Sequence, residues 1–126
     1  IRICKGIYVE PPAVAYQDRD EVRRSFLSLV ELMLQHPSFV GIATHDEVLL
    51  EGSLALLKKY KPEPGRYEFQ MLLGVREELR SRLLTAGHPV RIYVPFGEHW
   101  YAYSLRRLKE NPAVAGHVLR NLFNRH

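Results

Sequence analysis

Four short apolar runs alternate with helical patterns along the chain, and this alternation constrains the fold more than any other feature. A last amphipathic helix begins at Pro112, and the apolar runs lie near residues 2–8, 39–44, 67–72 and 90–95. Each run and its following helix take about 30 residues, the repeat length of a (β/α)8 barrel. Four units make half a barrel, and a small open three-layer sheet is the alternative. Short right-handed connections predict strands that are parallel and adjacent in chain order.

Capping residues and turn residues bound the predicted helices. Asp18 or Asp20 can cap the first helix, and Asp46 is the natural cap of the second. A third helical pattern begins at Val75 and is closed by Gly87. The apolar positions expected to face the core in the first two helices are Val22, Phe26, Leu29, Val30, Met33, Leu34, Val48, Leu49, Leu54, Ala55 and Leu57.

The composition is typical of one globular domain with weak affinity for anions. The 126 residues are enough for a core, and 46% of them are hydrophobic. The formal charge of +4 is spread among interspersed acidic residues, so the basic stripe of a nucleic-acid-binding protein is absent. Cys4 is the only cysteine, which excludes an internal disulfide, and no Cys/His cluster has the spacing of a metal site.

Several common sequence signals are absent from the chain. No apolar run reaches the length of a membrane span, and there is no signal peptide. Neither GxGxxG nor GxxxxGK[ST] occurs, so the sequence carries neither a dinucleotide fingerprint nor a P-loop. The chain opens at Ile1 inside a strand pattern, and we therefore expect a piece of a longer protein.

Residues 101–110 form a helical pattern with two unlike faces. One face is a narrow apolar stripe, and the other carries Tyr103, Arg106, Arg107 and Glu110. Adjacent guanidinium groups repel each other unless an anion lies between them, and their planar forks suit a carboxylate or a phosphate. The pattern predicts an anion site or, alternatively, a solvated face with one Arg–Glu pair.

Polar residues also stand near the ends of the predicted strands. Lys5 shares a strand side with isoleucines, so it needs an anionic or cofactor partner unless it lies in water on an edge strand. Thr44 and His45 occupy a strand-to-helix junction, which favours anions, although a lone histidine there is often structural. Glu68 and Gln70 make one side of the third strand polar, and in an isolated sheet that side would face solvent.

Taken together, these segments resemble the C-terminal half of flavin-dependent proline dehydrogenase, most closely the short single-function bacterial type. The resemblance runs through essentially the whole chain. It rests on RICKGIY at 2–8, ATHD at 43–46, EFQML at 68–72, RIYVPFG at 91–97, and Tyr103 with Arg106 and Arg107. Any one of these motifs alone is weak, whereas five in order at barrel-like spacing are specific.

The resemblance implies a distorted (β/α)8 TIM barrel, of which residues 1–126 supply the last four βα units and a terminal helix. It implies FAD at the C-terminal ends of the strands, oxidation of L-proline to Δ1-pyrroline-5-carboxylate, and a membrane quinone as electron acceptor. It also implies a missing N-terminal half of the barrel. The corresponding location is cytoplasmic, or peripheral at the inner membrane.

Site residues follow from the same resemblance. Arg2 resembles the arginine near the reactive nitrogen of the flavin, a catalytic position where a cation stabilises the reduced ring. The further cofactor-binding residues that the resemblance implies are Lys5, Gly6 and Ile7 on the flavin, and Thr44 and His45 on the adenylate side of FAD. No metal is implied.

For the substrate, Arg106 and Arg107 resemble the pair that clamps the proline carboxylate. Leu72, Tyr93 and Tyr103 resemble the walls of the pocket around the ring, and Glu110 would hold one arginine. The chain departs from the family pattern at Ile7, where alanine is common, and at Cys4, where valine is more usual. The alternatives are a non-catalytic half-barrel fragment and another barrel enzyme that binds a phosphorylated substrate at Thr44 and His45.

Overall fold

Strands and helices alternate throughout the part of the chain that the computed structural model describes, which is residues 1–5, 10–94 and 96–98. The elements are β1 (Arg2–Cys4), α1 (Arg19–Gln35), β2 (Val40–Ala43), α2 (Glu47–Tyr60), β3 (Tyr67–Leu72), α3 (Glu77–Thr85) and β4 (Val90–Tyr93). The predicted helices over 101–110 and from Pro112 lie outside the described residues. None of the described helices is long and apolar enough to cross a membrane.

The four strands form one parallel sheet in the order β1-β2-β3-β4. This confirms the prediction of parallel strands that are adjacent in chain order. A sequential order with right-handed connections places every crossover helix on the same side of the sheet. An open three-layer sheet needs helices on both sides, so the described part does not match that alternative. It is an α/β structure compatible with part of a barrel.

Side-chain alternation gives the sheet two different faces. Strand register places Ile3, Ile42, Phe69 and Val90 side by side, and we call this side the helix face. Its residues pack with Phe26 and Val30 of α1, Leu49, Leu50 and Leu57 of α2, and Leu79 and Leu83 of α3. The opposite side, which we call the polar face, carries Arg2, Cys4, Gly41, Ala43, Glu68, Gln70, Leu72, Arg91 and Tyr93.

The helix caps confirm two sequence predictions. Asp18 caps α1 by accepting hydrogen bonds from the backbone N–H groups of Asp20 and Glu21, and Asp46 caps α2 by accepting one from Val48. These carboxylates satisfy donors that lack partners in the first helical turn.

Four details of the helices differ from the sequence pattern. Leu29, Val48 and Ala55 were expected on apolar faces, yet all three are exposed, Leu29 at 47% and Val48 at 52%. The third helix begins at Glu77 rather than Val75. Positive φ angles at Gly74 (76°) and Arg76 (51°) explain the delay, because a right-handed helix cannot pass through them. Val75 still reaches the core from the turn and is 8% exposed.

Candidate functional site

The C-terminal edge of the sheet collects most of the described residues that the sequence assigns to a site. Lys5 directly follows β1, Thr44 and His45 follow β2, and Leu72 and Tyr93 end β3 and β4. The carboxyl ends of parallel strands meet at one edge, so Lys5, Thr44, His45 and Tyr93 lie at the same edge of the sheet. Of the other predicted site residues, Arg2 lies within β1, and Gly6, Ile7, Tyr103, Arg106 and Arg107 lie outside the described residues.

Lys5 has an anionic partner within the protein. Its Nζ donates to Oδ2 of Asp46 at 2.7 Å, and Arg23 donates to the same carboxylate from Nε and Nη2, both at 3.1 Å. The Asp46 side chain is 8% exposed. Burial raises the pKa of Asp46, but hydrogen bonds from Arg23 and Lys5 outweigh burial and hold the pKa well below its ordinary value. β1 is an edge strand of the described sheet, but the ammonium group of Lys5 is paired rather than left in water, so the interpretation with an anionic partner is right.

Thr44 and His45 make bonds that hold the junction between β2 and α2. Thr44 is 5% exposed, and its Oγ1 accepts a hydrogen bond from the backbone N–H of Asp46 at 3.1 Å. Nε2 of His45 accepts from the backbone N–H of Leu72 at 3.0 Å, which joins the ends of β2 and β3. An Nε2 atom that accepts a hydrogen bond carries no proton, so this contact requires a neutral imidazole ring. A proton on Nε2 would break the bond.

A phosphate at this junction would meet a carboxylate. Asp46 occupies the N-cap of α2, the position where the helix N-terminus would otherwise attract an anion. Lys5 and Arg23 compensate the charge of Asp46 from the helix face. The geometry does not favour a phosphoryl group bound directly at the first turn of α2.

The polar face carries a connected row of charged and amide side chains. Nε of Arg2 donates to Oε1 of Gln70, and Nε2 of Gln70 donates to Oε1 of Glu68 at 2.7 Å. Arg91 holds the same carboxylate with two bonds, from Nε at 2.5 Å and from Nη2 at 2.9 Å. The row thus links β1, β3 and β4, although β1 and β3 are not neighbours in the sheet.

Gly41 makes this connection sterically feasible. It lies on β2, opposite Arg2 in the register of β1 and opposite Glu68 in the register of β3. A Cβ atom at this position would lie 2.6 Å from Nε2 of Gln70, closer than unbonded heavy atoms approach. The absence of a side chain therefore lets Gln70 extend over β2 and reach Arg2.

The charges of the row leave it positive. Two hydrogen bonds from Arg91 lower the pKa of Glu68, burial opposes them, and Gln70 and the charge of Arg2 also lower it. Glu68 is therefore an ionised carboxylate between two guanidinium groups, with one positive charge in excess. Within the described ranges, Nη1 and Nη2 of Arg2 make no hydrogen bond to a protein group. An electron-rich group bound at the polar face would lie against these two terminal nitrogens of Arg2.

Arg2 was identified from the sequence, but its partners were not. Glu68 and Gln70 would face solvent in an isolated sheet, whereas here Glu68 is only 9% exposed because Arg91 and Gln70 cover it. Arg91 was not assigned to the site. The sequence signal that could have found them is the alternation of polar and apolar residues along β3 and β4. Glu68, Gln70 and Arg91 all alternate with apolar residues, so they share one side of neighbouring parallel strands.

Two predicted pocket residues are neighbours on the polar face. Leu72 and Tyr93 are opposite each other in the register of β3 and β4, and Leu73 donates its backbone N–H to the carbonyl oxygen of Tyr93 at 3.1 Å. Tyr93 is 44% exposed, and Leu72 is half-buried. The apolar side chain of Leu72 and the phenol of Tyr93 thus lie at the same edge, each two residues after Gln70 and Arg91 along their strands.

Among the residues in 1–5, 10–94 and 96–98, no group of three or more His, Cys, Asp or Glu residues is placed to hold a metal ion. The charged atoms of the described site are those of arginine, lysine and carboxylates bonded to them. Such a set can orient an anion or stabilise developing negative charge.

Comparison with known proteins places the chain in a family. A family model described as proline dehydrogenase matches residues 10–120. The chain is 37% identical over 122 residues to proline dehydrogenase of Deinococcus radiodurans, covering 97% of the chain and 39% of that protein. It is 35% identical over 125 residues to proline dehydrogenase 1 of Bacillus subtilis subsp. natto, covering 99% and 41%.

A similarity also extends to a larger protein. The chain is 34% identical over 106 residues to the bifunctional protein PutA of Klebsiella aerogenes, covering 76% of the chain and 8% of that protein. The chain spans about two fifths of the length of the first two relatives. The match over residues 10–120 and these identities show that the chain belongs to the proline dehydrogenase family.

Proposed function

We propose that the protein containing this chain oxidises L-proline to Δ1-pyrroline-5-carboxylate, with FAD as the hydride acceptor. In this reaction a ring carbon next to nitrogen loses a hydride, the nitrogen loses a proton, and a C=N bond forms. FAD supplies the two-electron redox chemistry, while the protein supplies orientation and charge. The electrons then pass to a quinone, which requires the protein to meet a membrane surface peripherally.

The observation that carries this proposal is the exposed guanidinium end of Arg2 on a polar face with positive charge in excess. A flavin becomes electron-rich when it accepts a hydride, and a fixed cation beside it stabilises that charge. Arg2 has a hydrogen-bonded Nε and two terminal nitrogens directed to no described protein group. The residues present therefore fit a flavin, and family membership supports the same assignment.

The remaining cofactor contacts follow the strand ends. Thr44 and His45 are assigned to the adenylate side of FAD, and Lys5, Gly6 and Ile7 to the flavin side. The ammonium group of Lys5 is paired with Asp46, so its contribution to the cofactor site is made through the main chain. Bonding of His45 to Leu72 keeps the ends of β2 and β3 in register beneath the cofactor.

The substrate contacts are assigned to the same edge. Leu72 and Tyr93 shape the apolar side of the proline pocket, with Tyr103 as a further wall. Arg106 and Arg107 clamp the carboxylate of proline, because planar guanidinium forks match a carboxylate in both charge and geometry. The described sheet is one part of a (β/α)8 barrel, and the rest of the protein supplies the other strands.

Spectroscopy of the purified full-length protein tests this function directly. A bound flavin should give visible absorbance bands, and anaerobic L-proline should bleach them while mass spectrometry detects a product lighter by two hydrogens. A yellow protein that L-proline does not bleach would rule out the proposed substrate. A folded, colourless protein that binds no added FAD would favour a non-catalytic chain. Binding of a phosphate ester without flavin would favour the phosphorylated-substrate alternative.

A further inference from the structure

We propose that Gln70 is a positioning residue that holds the guanidinium of Arg2 toward the cofactor, and that Glu68 and Arg91 fix the orientation of the Gln70 amide. This inference rests on the proposed function, because it concerns how Arg2 is presented to the flavin. It gives a role to Glu68, Gln70 and Arg91, to which the family resemblance assigned none.

Arg2 has no side chain beside it on the neighbouring strand. β1 pairs with β2, and the residue opposite Arg2 is Gly41. Arg2 is exposed on a strand of three residues, and an arginine side chain has a large rotamer entropy to lose. Gln70 compensates by reaching over Gly41 and accepting the hydrogen bond from Nε of Arg2.

The Gln70 amide has one definite orientation between Arg2 and Glu68. Its oxygen accepts from Arg2, and its nitrogen donates to Glu68 at 2.7 Å. A flipped amide would place a donor against the guanidinium and an oxygen against the carboxylate. An amide side chain has an acceptor and a donor on the same planar group, so it can join a cation to an anion in this way.

Glu68 is itself held in place by Arg91. Arg91 binds both of its oxygens, through Nε to Oε1 and through Nη2 to Oε2. Such two-bond pairs fix geometry as well as charge. Arg91 therefore fixes Glu68, Glu68 fixes the amide of Gln70, and Gln70 fixes Nε of Arg2. The terminal nitrogens of Arg2 remain available at the end of this series.

A double-mutant cycle on the full-length protein tests the positioning role. The four proteins are wild type, Arg2→Met, Gln70→Met and the double variant, and the measurements are the Kd for FAD from fluorescence titration and the flavin midpoint potential. Arg2→Met should weaken FAD binding about tenfold, and Gln70→Met about threefold, since a charge-assisted bond is lost outright in one and loosened in the other. Both should shift the potential to more negative values. The double variant should match Arg2→Met.

Two further variants separate positioning from general damage. Gly41→Ala keeps all four polar side chains but places a Cβ 2.6 Å from Nε2 of Gln70, so it should reproduce the effect of Gln70→Met. It also replaces Gln70→Met in the cycle if that variant does not fold. Gln35→Met removes a glutamine that donates to Tyr60 between α1 and α2, and it should leave both measurements unchanged.

The outcomes distinguish the two levels of the proposal. If Arg2→Met weakens binding and Gln70→Met does not, the positioning role is wrong while the flavin assignment stands. Effects that multiply in the double variant would show that Gln70 acts independently of Arg2, which also overturns positioning. If wild type binds no flavin, or Arg2→Met changes neither measurement, the assignment of Arg2 to the flavin fails and the positioning role fails with it.

Discussion

The two faces of one sheet differ in almost every physical respect, although the same strands build both. On the helix face, Phe69 and Ile42 are 1% and 0% exposed and pack among the apolar residues of three helices. On the polar face, the neighbouring Gln70 and Arg91 are held by hydrogen bonds and charge. Each strand residue contributes to one face only, because side chains alternate across a strand.

This difference separates stability from chemistry along each strand. Burial of apolar area on the helix face supplies the free energy of folding, because hydrophobic burial is its largest favourable contribution. The polar face contributes less to stability, and its ordered cations are available to a ligand. If this division is correct, substitutions on the two faces should change different measurements.

The largest effect on stability is expected from Phe69→Ala. Phe69 is 1% exposed and makes edge-to-face contacts with Tyr67 and His88, at centroid distances of 6.1 and 5.6 Å. Its loss leaves a cavity and should lower the free energy of unfolding by about 3–5 kcal/mol, measured by urea denaturation. The adjacent Gln70→Ala, on the polar face, should cost about 1 kcal/mol. Equal costs at the two positions would refute the division.

The next largest effect on stability is expected at Asp46, which pairs with two cations at the start of α2. Asp46→Ala removes the partner of Lys5 and Arg23 and the cap of α2. Breaking a buried ion pair can cost more, but the Lys5 side chain is 29% exposed and that of Arg23 is 18% exposed. We therefore expect a loss of about 2–3 kcal/mol in the free energy of unfolding. Asp20→Ala is the control, since among the described residues this 70% exposed carboxylate bonds Arg23 alone.

The dependence on pH gives this prediction a sign. The pKa of Asp46 is lower in the folded than in the unfolded protein, so its contribution to stability is full above its ordinary pKa. That contribution is lost as the pH falls from about 4 toward the lowered value. The difference between wild type and Asp46→Ala should be constant near neutral pH and shrink in acid. A difference that grows in acid would contradict the ion-pair explanation.

Local patterns in the sequence predict the fold well because the features that decide it are local. Strand runs, short connections and the caps Asp18 and Asp46 are each determined within a few residues, and the structure confirms them. The predicted start of α3 was wrong because Gly74 and Arg76 have positive φ angles in a turn. The spacing of apolar residues carries no information about that turn.

The site was harder to predict because its contacts join distant strands. Gln70 meets Arg2 across a strand that separates them, and only the lack of a side chain at Gly41 permits it. No spacing in the sequence encodes a contact between strands that are not neighbours. The resemblance to a family located Arg2, whereas the supporting roles of Glu68 and Arg91 required the register of the sheet.

Binding, rather than stability, should respond to the predicted carboxylate clamp. Arg106→Lys and Arg107→Lys each keep a positive charge but lose the fork, so KM for L-proline should rise. The cost should be about 1.5–3 kcal/mol, or roughly ten- to a hundredfold in kcat/KM. Flavin content should stay normal in both variants.

Inhibitors provide the control for these variants. A competitive ring carboxylate should weaken in parallel with L-proline, whereas a ring analogue without the carboxylate should bind as before. An unchanged KM, or equal weakening of the analogue without a carboxylate, would show that Arg106 and Arg107 have a structural role.

The smallest effect on stability, and the sharpest comparison between surfaces, is expected from Glu68→Gln and Glu31→Gln. Both carboxylates accept hydrogen bonds from a cation, Glu68 from Arg91 and Glu31 from Lys59 at 2.8 Å. In each case those bonds are the main reason that the pKa of the carboxyl lies below its ordinary value.

Each pair has one mostly exposed member, since Arg91 is 65% and Lys59 is 62% exposed, so solvent and salt weaken both. Both variants should therefore unfold at nearly the wild-type urea concentration. The small difference should shrink as the pH falls below the ordinary pKa of a glutamate, about 4.3, toward the lowered values at which the folded carboxylates protonate. FAD titration should separate the two variants, because only Glu68 orients Gln70 and hence Arg2. A weaker Kd for FAD in Glu68→Gln alone would place the chemistry on the polar face, whereas equal changes in both variants would mean that the two surfaces are not functionally distinct.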